Sequence, residues 1–294
     1  MTNARFDRYV APARARPQLW RLVGGVVLIG AAYLLGVMAV FAGAGFALGP
    51  ERAQRLAASL AAPDTPAAVL LLLATFPGAA LGAFLAVRLL HRRAPATLFG
   101  PAAAVRRDFA GAVAITLALA VAYLAAWGLA FDPVPNRPFA SWLGWLPLLL
   151  VGLLIQTGTE ELIFRGYLQQ QLAARFRAPL IWMVLPSLGF AVLHFDPSQP
   201  AFVNAYAIAA TALFGILAAD LTRRTGNIGA AWGLHFVNNL LAVGILALDG
   251  SITGLALHVT PYDLAGIAEH PLLLLADMLA TLVAWAVLCR LLGR

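Results

Sequence analysis

The sequence predicts an all-α, polytopic membrane protein with about eight transmembrane helices, on three observations. First, 62% of its residues are hydrophobic and 11% are charged, whereas a soluble domain carries about 25% charged residues. Mean hydropathy is +0.84, which excludes a pair of soluble domains as the reading of 294 residues. Second, the apolar residues form runs comparable to the roughly 20 residues that a spanning helix needs. Third, the arginines fall in alternate connections between those runs, as membrane topology requires.

In chain order, the apolar windows are 20–48, 67–90, 108–131, 142–163, 180–195, 201–221, 228–248 and 271–292. The 180–195 window is short and interrupted by Pro186, so a kinked, partial or tilted helix is expected there. All twenty basic residues are arginine. Five lie at the N-terminus, five between windows two and three, and three (Arg165, Arg175, Arg177) between windows four and five. Arg223 and Arg224 follow window six, and Arg290 and Arg294 close the chain. Only Arg52, Arg55 and Arg137 fall on the other side, so the positive-inside rule places both termini in the cytoplasm. An even helix count is then required, and eight meets it. Pro133, Pro135 and Pro138 extend one connection on the other side. The 249–270 connection, with Gly250, Gly254, Pro261 and Gly266, reads as irregular with a short interfacial helix.

The pI near 10.5 does not indicate nucleic-acid binding, because the arginines are dispersed over short loops; the lipid bilayer is the partner they imply. The single cysteine, Cys289, excludes an internal disulfide or a cysteine metal cage and reads as a packing residue. The first apolar run is too long for a signal-peptide core and reads as a retained helix.

Three polar clusters interrupt the apolar runs. A charge inside a bilayer costs at least about 2.5–3.5 kcal/mol, so such residues line cavities or serve chemistry. In Thr159-Glu160-Glu161-Leu162-Ile163-Phe164-Arg165-Gly166, adjacent carboxylates point about 100° apart on a helix and take different roles. Glu161 and Arg165, four apart with the acid first, form a favourable same-face pair. Glu160 is then the freer carboxylate, a candidate general base for water; the competing reading is a snorkelling charge cluster at the membrane surface. The second cluster places Phe190 one turn before His194, a residue able to exchange a proton near neutral pH. The third places His235 and Asn239 on one helical face, where they can donate to a developing oxyanion or bond neighbouring helices. Asn238 points elsewhere and reads as a packing contact. By this topology Glu160 lies near the cytoplasmic end of helix four and His194 toward the external end of helix five. They meet only if those boundaries shift. Asp277 within helix eight needs a partner that the sequence does not name. His91, His258 and His270 fall in loops or at helix ends, and Asn204 and Asp220 bracket helix six.

The Glu-Glu-x-x-x-Arg at 160–165, Phe-x-x-x-His at 190–194 and His-x-x-x-Asn at 235–239 resemble, in order and spacing, the CPBP family of CAAX prenyl proteases and bacteriocin-processing enzymes. This family is also called the abortive-infection family. The resemblance covers about 142–248 as a four-helix catalytic core. Residues 1–141 are then an N-terminal cytoplasmic segment with three accessory helices, and 249–294 an external loop with the last helix. It implies an intramembrane endopeptidase in which Glu160, helped by His194, activates water. His235 and Asn239 stabilise the oxyanion, Glu161 and Arg165 hold the site in shape, and Phe190 packs over it. No cofactor is favoured. A zinc-dependent mechanism with Glu160, His194 and His235 as ligands is the alternative, although no His-Glu-x-x-His helix is present.

Arginine-only usage and a single-domain size point to a bacterial inner-membrane protein. Its expected substrate is a peptide or membrane-anchored protein, and prenylated substrates are not carried over. A non-catalytic scaffold or immunity protein of the same fold is the other class of function, with no motif position lost to support it. A transporter is disfavoured, because the polar residues cluster instead of tracing a pathway.

Overall fold

The computed structural model describes residues 4–129, 131–263 and 265–293. A short N-terminal helix, α1 (Ala4–Val10), precedes α2 (Leu19–Leu48), a 30-residue helix about 45 Å long. Only Gly25 and Ile29 of α2 are buried, and Val23, Val27, Leu34, Leu35 and Met38 are exposed. A bare apolar face of that length is stable against lipid, not water. After α3 (Pro50–Ala58), Thr65 caps α4 (Pro66–Leu90) by accepting from Ala68 N–H. Next come α5 (Ala102–Trp127), α6 (Phe139–Arg175), α7 (Leu180–Val192), α8 (Ala201–Thr225), α9 (Gly229–Leu240, continued by a π-helical turn Leu241–Ile245) and α10 (Pro271–Leu291). Gly226 ends α8 in the left-handed region at φ 71°, and its N–H donates to Thr222 O, as a helix C-terminus followed by a tight turn demands.

Six of these helices are long and apolar enough to cross a membrane: α2, α4, α5, α6, α8 and α10. The other two windows are helical but shorter. α7 has 13 residues, and α9 with its π-helical turn ends at Ile245, where the chain turns into strand β2 (Leu246–Asp249). The 249–270 connection is more regular than its glycines suggest. It contributes β3 (His258–Asp263), which pairs in parallel with β2 and antiparallel with β1 (Val134–Pro135), giving the order β1-β3-β2. Its short helix is a 3₁₀ turn at Gly266–Glu269.

The largest correction concerns the fourth window. It runs on to Arg175, so α6 has 37 residues and Arg165 lies buried inside it instead of in a connection. Glu160 therefore sits in mid-helix. The extension looks loop-like in sequence because it contains Gln169-Gln170-Gln171, yet all three glutamines are buried. Gln169 donates to Ala219 O, and Gln170 donates to Tyr9 O and Thr97 O.

Those bonds belong to an end of the bundle where several segments converge. Phe6 packs on Trp182 with ring centroids 5.0 Å apart, and Tyr9 donates its hydroxyl to Leu98 O at 2.7 Å, with Arg165 O at 3.2 Å. Ile228 N–H donates to Phe99 O. His91, expected in a loop, is buried there with Nε2 2.9 Å from Tyr167 Oη. At the opposite end Arg137 and Asn136 donate to carbonyls of 253–256, and Gly254 N–H donates to Pro63 O. The arginine-rich connections thus share one end of the bundle; Arg294 lies outside the described residues.

α5 and α9 pack closely because of glycine. A Cβ at Gly233 would lie 2.6 Å from Phe109 O, and one at Gly229 2.4 Å from Val105 O, closer than any side chain allows. This contact fixes α9, which carries His235 and Asn239.

Candidate active site

α6 changes winding at its polar motif. The α-helical part ends at Glu161, and Leu162–Gln169 form a π-helix, a wider turn common where a helix presents functional groups. Within this turn Arg165 Nη1 donates to Glu161 Oε1 at 3.0 Å, and Nη2 donates to Gly215 O at 3.3 Å. The side chains of Glu161 and Arg165 are 0% and 2% exposed, so the ion pair is wholly enclosed. The guanidinium also lies over Phe190 and Phe214, at 5.2 and 5.7 Å from the ring centroids.

His235 brings the two carboxylates together. Its Nδ1 is 2.8 Å from Glu161 Oε1, and its Nε2 is 3.3 Å from Glu160 Oε2. Two adjacent glutamates that point apart on α6 are thus bridged by one imidazole from α9. An imidazole with a carboxylate on each nitrogen can carry both ring protons, and Glu161, itself neutralised by Arg165, fixes the ring plane.

Glu160, His194, His235 and Asn239 line one cavity of about 230 Å³, together with Phe190 and Gln156. The mid-helix position of Glu160 and the short α7 remove the depth mismatch expected from the sequence. His194, just past α7, is exposed to the cavity. Its Nδ1 lies 3.0 Å from Phe190 O, an acceptor, so Nδ1 carries a proton, and in the neutral ring Nε2 is the nitrogen with the free lone pair. The Phe190 ring stacks edge-on to His194 at 4.7 Å and to His235 at 6.0 Å.

Asn239 donates one amide proton to Gln156 Oε1 at 2.9 Å. Gln156 was not singled out in the sequence, where it stands as a lone glutamine in an apolar run; its position one turn before Glu160 is the signal that could have found it. Phe214, also passed over, packs 4.8 Å from His235. Asn238 is not a packing contact: it is exposed and lines this cavity and a neighbouring one. Asp277 finds its partners in Tyr123 and Tyr206, whose hydroxyls donate to its two oxygens at 3.0 and 2.9 Å.

Among the described residues, no group of three His, Cys, Asp or Glu side chains is disposed to hold a metal ion.

The fold and this site define an integral membrane protein of polytopic helical architecture with a buried carboxylate–imidazole centre. Residues 141–241 match the family model of type II CAAX prenyl endopeptidases, Rce1-like. That span contains every candidate residue from Gln156 to Asn239, and over it the resemblance to the CPBP family read from the three motifs holds. Among curated proteins, the uncharacterized protein YyaK of Bacillus subtilis (strain 168) is 29% identical over 179 residues, 59% of this chain and 59% of the relative. The chain therefore spans less than two thirds of that relative's length. No solved structure matches the chain.

Proposed function

We propose that this protein is an intramembrane endopeptidase that hydrolyses peptide bonds of membrane-associated or C-terminal peptide substrates by a glutamate-activated water. The observation that carries the reading is the single imidazole of His235 bridging Glu160 and Glu161 in a cavity that His194 also lines.

In this mechanism water sits between Glu160 and the Nε2 lone pair of His194. As the water oxygen bonds to the scissile carbonyl carbon, Glu160 takes its proton. The carbonyl oxygen becomes an oxyanion and receives hydrogen bonds from His235 Nε2–H and from the second amide proton of Asn239, the first being committed to Gln156. Collapse of the intermediate breaks the C–N bond, and the proton held by Glu160 passes to the departing amine. Glu161 and Arg165 hold His235 in the plane this requires, and Phe190 and Phe214 keep the centre dry.

Cleavage of a fluorogenic peptide library by the purified protein in detergent tests this reading. Glu160→Ala and His194→Ala are each expected to lose about 100-fold or more in rate, with no effect of a zinc chelator. Loss of wild-type activity on chelation, restored by zinc, would favour the metal-dependent alternative. Unchanged cleavage in both variants would remove these residues from the mechanism.

The arginine distribution and the convergence of the arginine-rich connections at one end support placing that end, with both termini, in the cytoplasm of a bacterial inner membrane.

A further inference from the structure

The acids within helices α1 to α10 follow a rule with one exception. Asp7 pairs with Arg14, Glu51 with Arg55, Asp108 with Arg107, Glu160 and Glu161 with His235, Glu161 also with Arg165, and Asp220 with Arg223 and Arg224. Asp277 alone has no cationic partner among the described residues. It is nonetheless placed with care: Tyr123 of α5 and Tyr206 of α8 each donate to one of its oxygens. Each carboxylate oxygen accepts two hydrogen bonds, so one lone pair on each remains open.

Its location gives this exception meaning. Beside the Glu160 cavity lies a second cavity of about 350 Å³, between α5, α9 and α10, with largely apolar walls such as Leu119, Leu241 and Leu273. The two cavities share Tyr206, Asn238, Asp277 and Thr281. Asp277 therefore stands where they meet, six residues or about 9 Å along α10 from its start. The second cavity is also lined by Leu246, Leu248 and Thr260 of the three-stranded sheet. A substrate group reaching from the Glu160 cavity into the second one passes the carboxylate. A carboxylate in such surroundings is stabilised by an opposite charge, and the chain supplies none.

We propose that Asp277, held by Tyr123 and Tyr206, is a specificity-determining subsite for a positively charged group of the substrate, a lysine or arginine side chain near the scissile bond. The aliphatic stem of that side chain lies along the apolar second cavity. Resting on the endopeptidase reading, this names the substrate class that the same site selects.

The test compares peptides that differ only in lysine or norleucine at one position scanned across the cleavage site. Cleavage by the full-length protein in detergent and binding by fluorescence anisotropy are both measured. At the best position the wild type is expected to prefer lysine by about tenfold or more in kcat/KM and in affinity. Asp277→Asn should bring that ratio to about one while still cleaving the norleucine peptide. Asn238→Lys supplies an internal cation between the two cavities and should abolish the preference with Asp277 intact, so the inference stays testable if Asp277→Asn does not fold. A ratio near one in the wild type, or a preference that survives both substitutions, overturns it. Cleavage without lysine preference would sink the subsite alone. An Asp277-dependent binding preference without any cleavage would keep the subsite and sink the endopeptidase reading.

Discussion

Replacing Arg165 by methionine tests whether the enclosed ion pair holds the site together. The substitution keeps an unbranched apolar stem but removes the guanidinium and strands Glu161, whose side chain is 0% exposed, with His235 as its remaining partner. Removing one member of a buried pair costs about 3–5 kcal/mol, because the other charge is left uncompensated. The bond to Gly215 O and the contacts over Phe190 and Phe214 are lost as well, which puts the expectation at the upper end of that range. On the scale of soluble domains of 150–250 residues, this is a fall in Tm of roughly 10–20 °C. Thermal unfolding in detergent, followed by tryptophan fluorescence, reads it directly. The double variant Arg165→Met, Glu161→Leu separates stability from chemistry. An apolar replacement for a buried pair is often neutral or stabilising, so most of the lost Tm should return. Activity should not, because His235 then lacks the carboxylate that orients its Nδ1. A Tm within about 1 °C of wild type for Arg165→Met, with full cleavage, would refute the reasoning, as would a double variant that recovers both properties.

Three further outcomes are expected. Gln156→Leu removes the acceptor that orients the Asn239 amide, and should lower kcat about tenfold with little change in Tm, read from steady-state cleavage. Gly233→Ala drives a methyl group toward Phe109 O and should cost about 1–3 kcal/mol, seen as a lower Tm. Burial lowers the His91 imidazole to about 4, against the opposing pull of the Arg16 carbonyl. Below pH 6.5 the unfolded chain takes up this proton while the folded one does not. Stability contributed by the neutral ring is therefore full above pH 6.5 and lost progressively toward pH 4. Unfolding measured across that window should be less pH-dependent in His91→Leu than in wild type.

The positions of the helices were legible because apolar runs in a membrane protein face lipid and need no partner to be recognised. The three motifs were legible for a related reason: a Glu, His or Asn in such a run is costly, so it marks a place where something compensates. What stayed hidden was the compensation. The fourth window ends at 163, because nothing local shows that carbonyls of Tyr9, Thr97 and Ala219 take up the amides of Gln170 and Gln169 beyond it. Asp277 could not be assigned, since its tyrosines lie 154 and 71 residues away. Likewise, the pairing of His235 with both glutamates depends on the glycine contact of α9 with α5, and the placing of Arg165 falls within a π-helical turn of α6. The π-helical turn has no local pattern of its own, whereas Gly229 and Gly233 stand four apart as a small-xxx-small pair that the motif reading passed over. The strands escaped because 246–249 simply continue an apolar window, and only pairing with 258–263 makes them a sheet.

The bond between the Tyr9 hydroxyl and the carbonyl of Arg165 has a consequence for biosynthesis. The two residues are 156 positions apart, so α1 cannot complete this contact until the chain through Arg165 has left the ribosome. At about 5–20 residues per second, that is a delay of roughly 10–30 s. Throughout it, Phe6, Tyr9 and Val10 lack the part of their core that Leu162, Tyr167 and Trp182 supply. A bulky fusion at the N-terminus would interfere at that moment, leaving helices inserted in the bilayer but the underside of α6 unsealed.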